Sequence, residues 1–578
     1  MGLRRVLALV SAAVVGAAGI ATTAHASPPG GIAAAARAAQ ARYGVPASVL
    51  EAICYLEGRL SDHGGAPSAN GGYGCMNLVR GHSLGQAARL TGASSTELEH
   101  GTAANIAGAA AVLRADAVRL NHGVPSDLGG WYGAIAAYSG ASHRVAVAYA
   151  DEVYRIIRGG LTATAPSGET VRIAPTPVTP DTATAATVGA RPAALPTHCQ
   201  AADSSVDYPG AYDCIVPTTY DCNSYSACTY QSANRPSDLP ILGITIHDTE
   251  ESLSDTITTF WSTSSGVSIT YVVDTDGSVY QLLHEKDIAY HNGNFWYNQR
   301  FVGIEHIGYD ATGYQWYNAT QYLGSAMLSA YLATKYDIPL DHDHIMSHGT
   351  TPAPTLGTSP NHVDPGPYWL WSYYLTLIHQ QGVAWPSQSA PSGVIRLNPA
   401  EGQAPGNPDG TETTANFGFF SLYTQPSTAS TPIPGKGSAG DITDESDNVE
   451  AMTSYVVLAQ QPDAAGTGDT MYEIWYGETQ SSSSWTATGA AAWLAVPAGG
   501  AEQGYGTVVT LTSKNGKALS VYGKPGGTSS YVVGSSPSGS VYLSPWAVSV
   551  SGTTWYCINF NHRQEWVPAS EVGSTRTS

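Results

Sequence analysis

The feature that most limits the fold is a change of hydrophobic period along the chain. Over residues 31–160 apolar side chains recur at helical spacing in Ala/Leu/Arg-rich sequence, as in Ala103–Leu120 and Ala146–Ile157, which predicts an all-α unit. From Thr162 to Thr197 the chain is Thr, Ala and Pro with little apolar periodicity, the composition of a semi-extended linker. Residues 236–384 alternate β-type runs (Ile241–Ile246, Ser268–Val273) with a helix-like stretch from Thr320 to Tyr336, an α/β pattern. A Pro/Ser-rich segment, Trp385–Gly393, then leads into 394–578, which reads as short strands with Gly/Asn turns. There Lys514-Asn515-Gly516-Lys517, between Val508–Thr512 and Ala518–Tyr522, predicts a hairpin. A length of 578 residues agrees with roughly three to four domains.

Charge and cysteine content narrow the function. With 25 Lys+Arg against 45 Asp+Glu the formal charge is −20, which speaks against neutralising phosphates and so against nucleic acid as a partner. Arg4 and Arg5 precede an apolar run from Val6 to Ile20, followed by Ala24-His25-Ala26. That order predicts a secretory signal peptide over residues 1–26, in a run too short for a membrane span. A soluble, exported, monomeric protein with no membrane association after cleavage is expected. Export favours disulfides. Cys199, Cys214, Cys222 and Cys228 form a cluster whose three possible pairings the sequence leaves open. Nearness in sequence suggests a Cys54–Cys75 bond.

The C-terminal region contains an echo. Ser421-Leu422-Tyr423-Thr424-Gln425-Pro426 returns as Ser520-Val521-Tyr522-Gly523-Lys524-Pro525, and Tyr472–Tyr476 with Trp493 and Val496-Pro497 returns as Trp555–Phe560 with Trp566-Val567-Pro568. This resembles tandem SH3-like barrels, over residues 394–500 and 501–578, a resemblance that implies binding of wall peptide or glycan.

The chemistry concentrates in the middle. Ile244-Thr245-Ile246 is a buried-strand pattern that delivers His247; Phe301-Val302-Gly303-Ile304 delivers Glu305; Ile345-Met346-Ser347 leads to His348; and Asp364 sits in His362-Val363-Asp364-Pro365-Gly366-Pro367. Two imidazoles and one carboxylate supply three ligands for Zn2+ and leave a fourth position for water. A separate carboxylate, Glu305, would move the proton, and His362 would point into the same cavity as a donor to an oxyanion. His291, in Tyr290-His291-Asn292-Gly293-Asn294, is expected to line the cleft, since a fourth protein ligand would close the site. His306 follows Glu305 on the strand and should face the other way. The run Asp341-His342-Asp343-His344 is expected to be a solvated loop.

In order and spacing, Ile244–Glu250, Ala289–Gly293, Val302–His306, His348 and Asp364–Pro367 resemble the zinc-dependent N-acetylmuramoyl-L-alanine amidases, the type 2 amidases related to peptidoglycan-recognition proteins. The resemblance covers roughly residues 236–384. It implies an α/β domain of a mixed sheet with flanking helices, His247, His348 and Asp364 as zinc ligands, and Glu305 as acid/base. It also implies peptidoglycan as the substrate, cut between the lactyl group of N-acetylmuramic acid and L-alanine. Two departures stand out: His362 occupies a position where many relatives carry Lys, and the loop Gly349–Asn361 is longer than in compact members.

Residues 31–160 contain a helix-like run ending in Glu57, then the Gly-rich turn Gly71–Leu78. They resemble lysozyme-like lytic transglycosylases, which implies Glu57 as an acid toward a glycosidic bond, although Gly58 and Asn77 stand where relatives often carry Ser and Gln. Gly81-His82-Ser83-Leu84-Gly85 fits a serine-hydrolase elbow, but its helical setting lacks the strand that elbow needs. Residues 161–235 connect this unit to the amidase-like one. The expectation is therefore a multidomain secreted amidase. The alternatives are a wall-binding protein without catalysis and a transglycosylase that uses the amidase-like domain only for binding.

Overall fold

The structure, a computed structural model, describes residues 30–189, 194–201, 205–309, 317–355, 362–398, 418–431, 448–481, 484–560 and 563–577. The expected signal peptide lies outside the described residues.

The first unit is helical: α1 (Ile32–Tyr43), α2 (Ala47–Gly58), α3 (Ser83–Thr91), α4 (Ser95–His100), α5 (Thr102–Asn121), α6 (Tyr132–Tyr138) and α7 (His143–Gly159). A two-stranded ribbon of β1 (Gly72–Tyr73) and β2 (Leu78–Val79) interrupts them. Cys54 on α2 is bonded to Cys75 in this ribbon. The approach is close enough that a Cβ on Gly58 would lie 2.6 Å from the Cys75 Cα, so glycine is required there.

The Thr/Ala/Pro segment is not a free linker. Its residues form a hairpin, β3 (Leu161–Thr164) with β4 (Thr170–Ile173), whose Val171 and Ile173 are buried. In its turn Glu169 accepts from the Ile32 and Ala33 N–H groups at 2.7 and 3.1 Å, satisfying orphan donors at the start of α1. Two further disulfides, Cys199–Cys214 and Cys222–Cys228, settle the pairing that the sequence left open.

The second unit is built on a six-stranded mixed sheet. It uses β5 (Tyr212–Asp213), β7 (Gly243–Asp248), β8 (Tyr271–Val273), β9 (Val279–Gln281), β11 (Phe301–His306) and β12 (Ile345–Ser347) in the order β12-β7-β11-β8-β9-β5. A ribbon of β6 (Tyr230–Gln231) with β10 (Ile288–Ala289) lies apart from it. The strands β12, β7, β11 and β8 run parallel. Helices α8 (Leu253–Phe260), α9 (Phe295–Asn298), α10 (Ala319–Tyr336) and α11 (Trp371–Gln380) complete it. Ile246, Ile304 and Tyr271 pack toward Tyr322, Leu323 and Tyr374 of α10 and α11. Val272 packs toward Ile257 and Phe260 of α8.

The C-terminal region is all β. The echoed segments are echoed strands: Phe419–Tyr423 and Leu519–Tyr522, then the pairs Thr470–Ser481 with Ser484–Val496 and Thr553–Phe560 with Arg563–Pro568. The expected hairpin at Asn515-Gly516 does not form as a pair. Strand Thr507–Leu511 bonds to Val541–Ser544 and Val572–Arg576, whereas Leu519–Tyr522 bonds to Val532–Ser536. Gly516 still turns the chain at φ 70, but the strands on either side enter different sheets, which face each other across one core of Val509, Leu511, Leu519 and Val521.

The units share a continuous core, and Glu57 lies in the junction. It is 5% exposed, accepts from Asn77 Nδ2 at 3.1 Å, and receives the N–H of Ala319 at the start of α10. No Asn318 side-chain cap is present there, so a carboxylate from the first unit caps a helix of the second. Arg59 adds a cation–π contact at 4.1 Å from the Tyr373 ring on α11. Burial outweighs these donors and lifts the Glu57 pKa to about 7.

Two outcomes follow for stability. Replacing Cys54 and Cys75 by Ala should lower the unfolding free energy by roughly 3 kcal/mol through the loss of the loop constraint, measured by denaturant titration. The raised Glu57 pKa means that the folded state holds its proton more tightly than the unfolded one. Its stabilising contribution is complete below the ordinary carboxylate pKa and is lost as pH rises through about 7, a change of about 3 kcal/mol. Glu57→Gln should therefore flatten the fall in stability between acid and mildly alkaline pH, and an unchanged slope would refute this account.

Candidate active site

Parallel pairing assembles the site. In the β7–β11 register His247 is the partner of Glu305, and alternation turns both side chains to one face. His306, next along, faces away, with Nδ1 2.9 Å from the His247 carbonyl and Nε2 2.7 Å from Ser325 Oγ on α10. Strand β12 runs parallel to β7 on its other side and ends just before His348, whose N–H donates to the Ile246 carbonyl at 3.1 Å. The loop before α11 returns Asp364 to the same point, where Gly349 N–H donates to the Asp364 carbonyl at 3.0 Å. These strand ends open into a cleft of about 700 Å³.

His247, His348 and Asp364 each offer a ligand atom, all within 4.8 Å of one another, and all three residues are buried. Asp364 Oδ2 is 3.0 Å from His247 Nδ1, and Asp364 Oδ1 is 3.1 Å from His348 Nδ1. Both ring nitrogens of His348 are buried without a hydrogen bond of acceptable geometry among the described residues. Buried imidazole nitrogens left this way are costly, and a cation bound to one of them would relieve part of that cost. Burial lowers the His348 pKa to about 4, so the ring is neutral, as a ligand must be. Burial opposes the charge on Asp364, but the imidazoles of His348 and His247 outweigh it and hold the carboxyl well below its ordinary range. The donor set, two imidazoles and one carboxylate, fits zinc.

Glu305 also lines the cleft, and its Oε2 is buried with no hydrogen-bond partner among the described residues. Burial, then the charges of Asp364 and Asp248, push its pKa well above the ordinary value. A divalent cation among these carboxylates would counter that push.

His362 stacks on His348, with centroids 4.1 Å apart and planes at 13°, and its Nδ1 contacts Asp364 Oδ1. That hydrogen bond, opposed by burial, raises its pKa. His291 Nδ1 lies 2.9 Å from His247 Nε2, in the cleft wall. Gly303 leaves room for it, since a Cβ there would be 2.6 Å from His291 Nδ1.

Glu57 is not part of this cleft. It is 5% exposed and its carboxyl group receives the Ala319 N–H at the start of α10. The run Asp341–His344 is likewise not a solvated loop. His342, Asp343 and His344 are at most 8% exposed, and His342 Nε2 lies 2.8 Å from Glu450 Oε2. The motif reading also missed the cleft rim, where Phe295 is 46% and Val267 41% exposed. Val267 lies in a loop and Phe295 opens a one-turn helix, and neither segment is long enough to carry a spacing signal.

Residues 237–367 match the profile of the N-acetylmuramoyl-L-alanine amidase family. N-acetylmuramoyl-L-alanine amidase A of Achromobacter lyticus is 30% identical over 178 residues, which span 28% of this chain and 93% of that protein. Among solved structures, a selenomethionine AmpD derivative is 20% identical with a TM-score of 0.23, over 28% of this chain and 93% of its own. The Staphylococcus aureus hydrolase AmiA in complex with its ligand is 16% identical with a TM-score of 0.22, over 30% of this chain and 85% of its own. The extent to which this chain spans the Achromobacter enzyme, together with the profile match, places it in the N-acetylmuramoyl-L-alanine amidase family.

Proposed function

We propose that the protein is an exported, zinc-dependent hydrolase of peptidoglycan, cutting the amide between the lactyl group of N-acetylmuramic acid and L-alanine of the stem peptide. The observation that carries this reading is the convergence of His247, His348 and Asp364 beside Glu305 on the floor of one open cleft. The three ligands would hold Zn2+ and leave a fourth position open. When bound, zinc polarises the scissile carbonyl and lowers the pKa of a water to about 7. Water adds to the carbonyl carbon while Glu305 takes its proton. As the C–N bond breaks, Glu305 passes that proton to the departing nitrogen, so that L-alanine leaves as a free amine. His362, over the face of His348, donates to the carbonyl oxygen as negative charge develops there.

Action outside the cytoplasm agrees with the disulfides. None of the described helices is long and apolar enough to cross a membrane. The helical unit is read as a lysozyme-like domain kept for glycan contact, because α10 covers Glu57. The C-terminal units are read as SH3-like modules that meet the wall on their outer faces.

Digestion of purified peptidoglycan, followed by mass analysis of the fragments, tests this reading. Glu305→Ala should slow stem-peptide release by roughly 100- to 10,000-fold. A chelator should abolish release and added zinc restore it, while Glu57→Gln should leave the fragments unchanged. Stem peptides freed at the wild-type rate by Glu305→Ala would sink the mechanism.

A further inference from the structure

We propose that the C-terminal β region is part of the amidase machinery, with Arg563 and Glu450 as positioning residues that clamp the segment carrying His348. The proposal rests on the amidase reading above. Strand β12 lies at the edge of its sheet, with β7 as its one neighbour there, so the sheet alone holds the approach to His348 from a single side. The C-terminal region supplies the other side.

At the near end of this segment, Glu450 Oε2 lies 2.8 Å from His342 Nε2 and accepts from Ser347 Oγ at 3.0 Å. At the far end, Arg563 Nη1 donates to the carbonyl of Gly349, the residue after His348, at 2.8 Å. Its neighbour Gln564 donates from its backbone N–H to the Thr350 carbonyl at 2.9 Å and from Nε2 to the Asp343 carbonyl at 2.7 Å. Gly349 in turn donates to the Asp364 carbonyl at 3.0 Å, so the clamp bears on two of the three candidate ligands.

Glu450 and Arg563 are 1% and 2% exposed. Burying charged groups is unfavourable unless they are paired and hydrogen-bonded. A module that served only as a tether to the wall would gain nothing from placing a carboxylate and a guanidinium inside the enzyme. Here each spans the junction and holds a backbone or side-chain group within two residues of His348 or at the start of the same segment. Groups that orient ligands in this way set metal affinity.

The test uses the full chain with Arg563→Gln, Glu450→Gln and Arg563→Lys. Zinc affinity is read by competition with a chromophoric chelator, and kcat and KM on purified peptidoglycan. Circular dichroism checks the fold. Each Gln variant should bind zinc about tenfold or more weakly and lose kcat with little change in KM, and Arg563→Lys, which keeps a donor and a charge, should recover part of both. If one Gln variant fails to fold, the other decides. Folded Gln variants that keep wild-type zinc affinity and kcat, or change KM alone, would overturn the proposal. Zinc affinity is read without substrate. A wild type that binds zinc but frees no stem peptide would therefore sink the amidase reading, with the clamp still judged on affinity.

Discussion

The parallel pairing of β7 with β11 is the constraint on which the rest depends. It places His247 beside Glu305 in register, and β12 on the other flank of β7 brings His348 to the same end of the sheet. Parallel strands deliver their carboxyl ends to one edge, where open α/β sheets hold their ligands. Helices α10 and α11 bury the opposite face, which leaves the site face to form a cleft. A slip of one residue in β11 would turn Glu305 into the core and His306 into the cleft. The apolar alternation on either side of Glu305 forbids that slip, because Ile304 and Val302 would then lose their places in the core.

A helical unit, a mixed sheet and a β region would ordinarily be expected to move as tethered bodies. Here charged groups are buried across both junctions. Glu57 closes the N-terminus of α10, and Glu450 and Arg563 hold the segment around β12. The −20 formal charge therefore does not describe how the chain holds itself together, since these carboxylates and this guanidinium are removed from water and hydrogen-bonded across the junctions. Phe295 and Val267 stand exposed at the rim of the cleft and offer it apolar surface.

Much of the site was legible in the sequence because its chemistry travels with local pattern. His247 and Glu305 end short apolar runs, His348 follows a third, and Asp364 sits in a Pro/Gly turn. Helix spans read from periodicity also lie close to the observed ones: Thr320–Tyr336 against Ala319–Tyr336, and Ala103–Leu120 against Thr102–Asn121. Errors arose where a local signal met a distant partner. Asn515-Gly516 turns the chain as its composition requires, but its flanking strands are claimed by different sheets. Asp341–His344 has the polarity of a loop in water, yet the β region covers it.

Taken alone, the sequence determined residue types and local geometry: which segments alternate or recur at helical spacing, where imidazoles and carboxylates fall at strand ends, and hence the chemistry available. Tertiary structure decided accessibility and partnership. It closed Glu57, paired the four clustered cysteines, and brought Arg563 and Glu450 to the residues flanking β12. Periodicity reports which side of an element faces a core, because that depends on neighbours a few residues away. Which core, and which distant charge lies across it, depends on contacts between segments more than a hundred residues apart, such as Ser347 with Glu450 and Gly349 with Arg563.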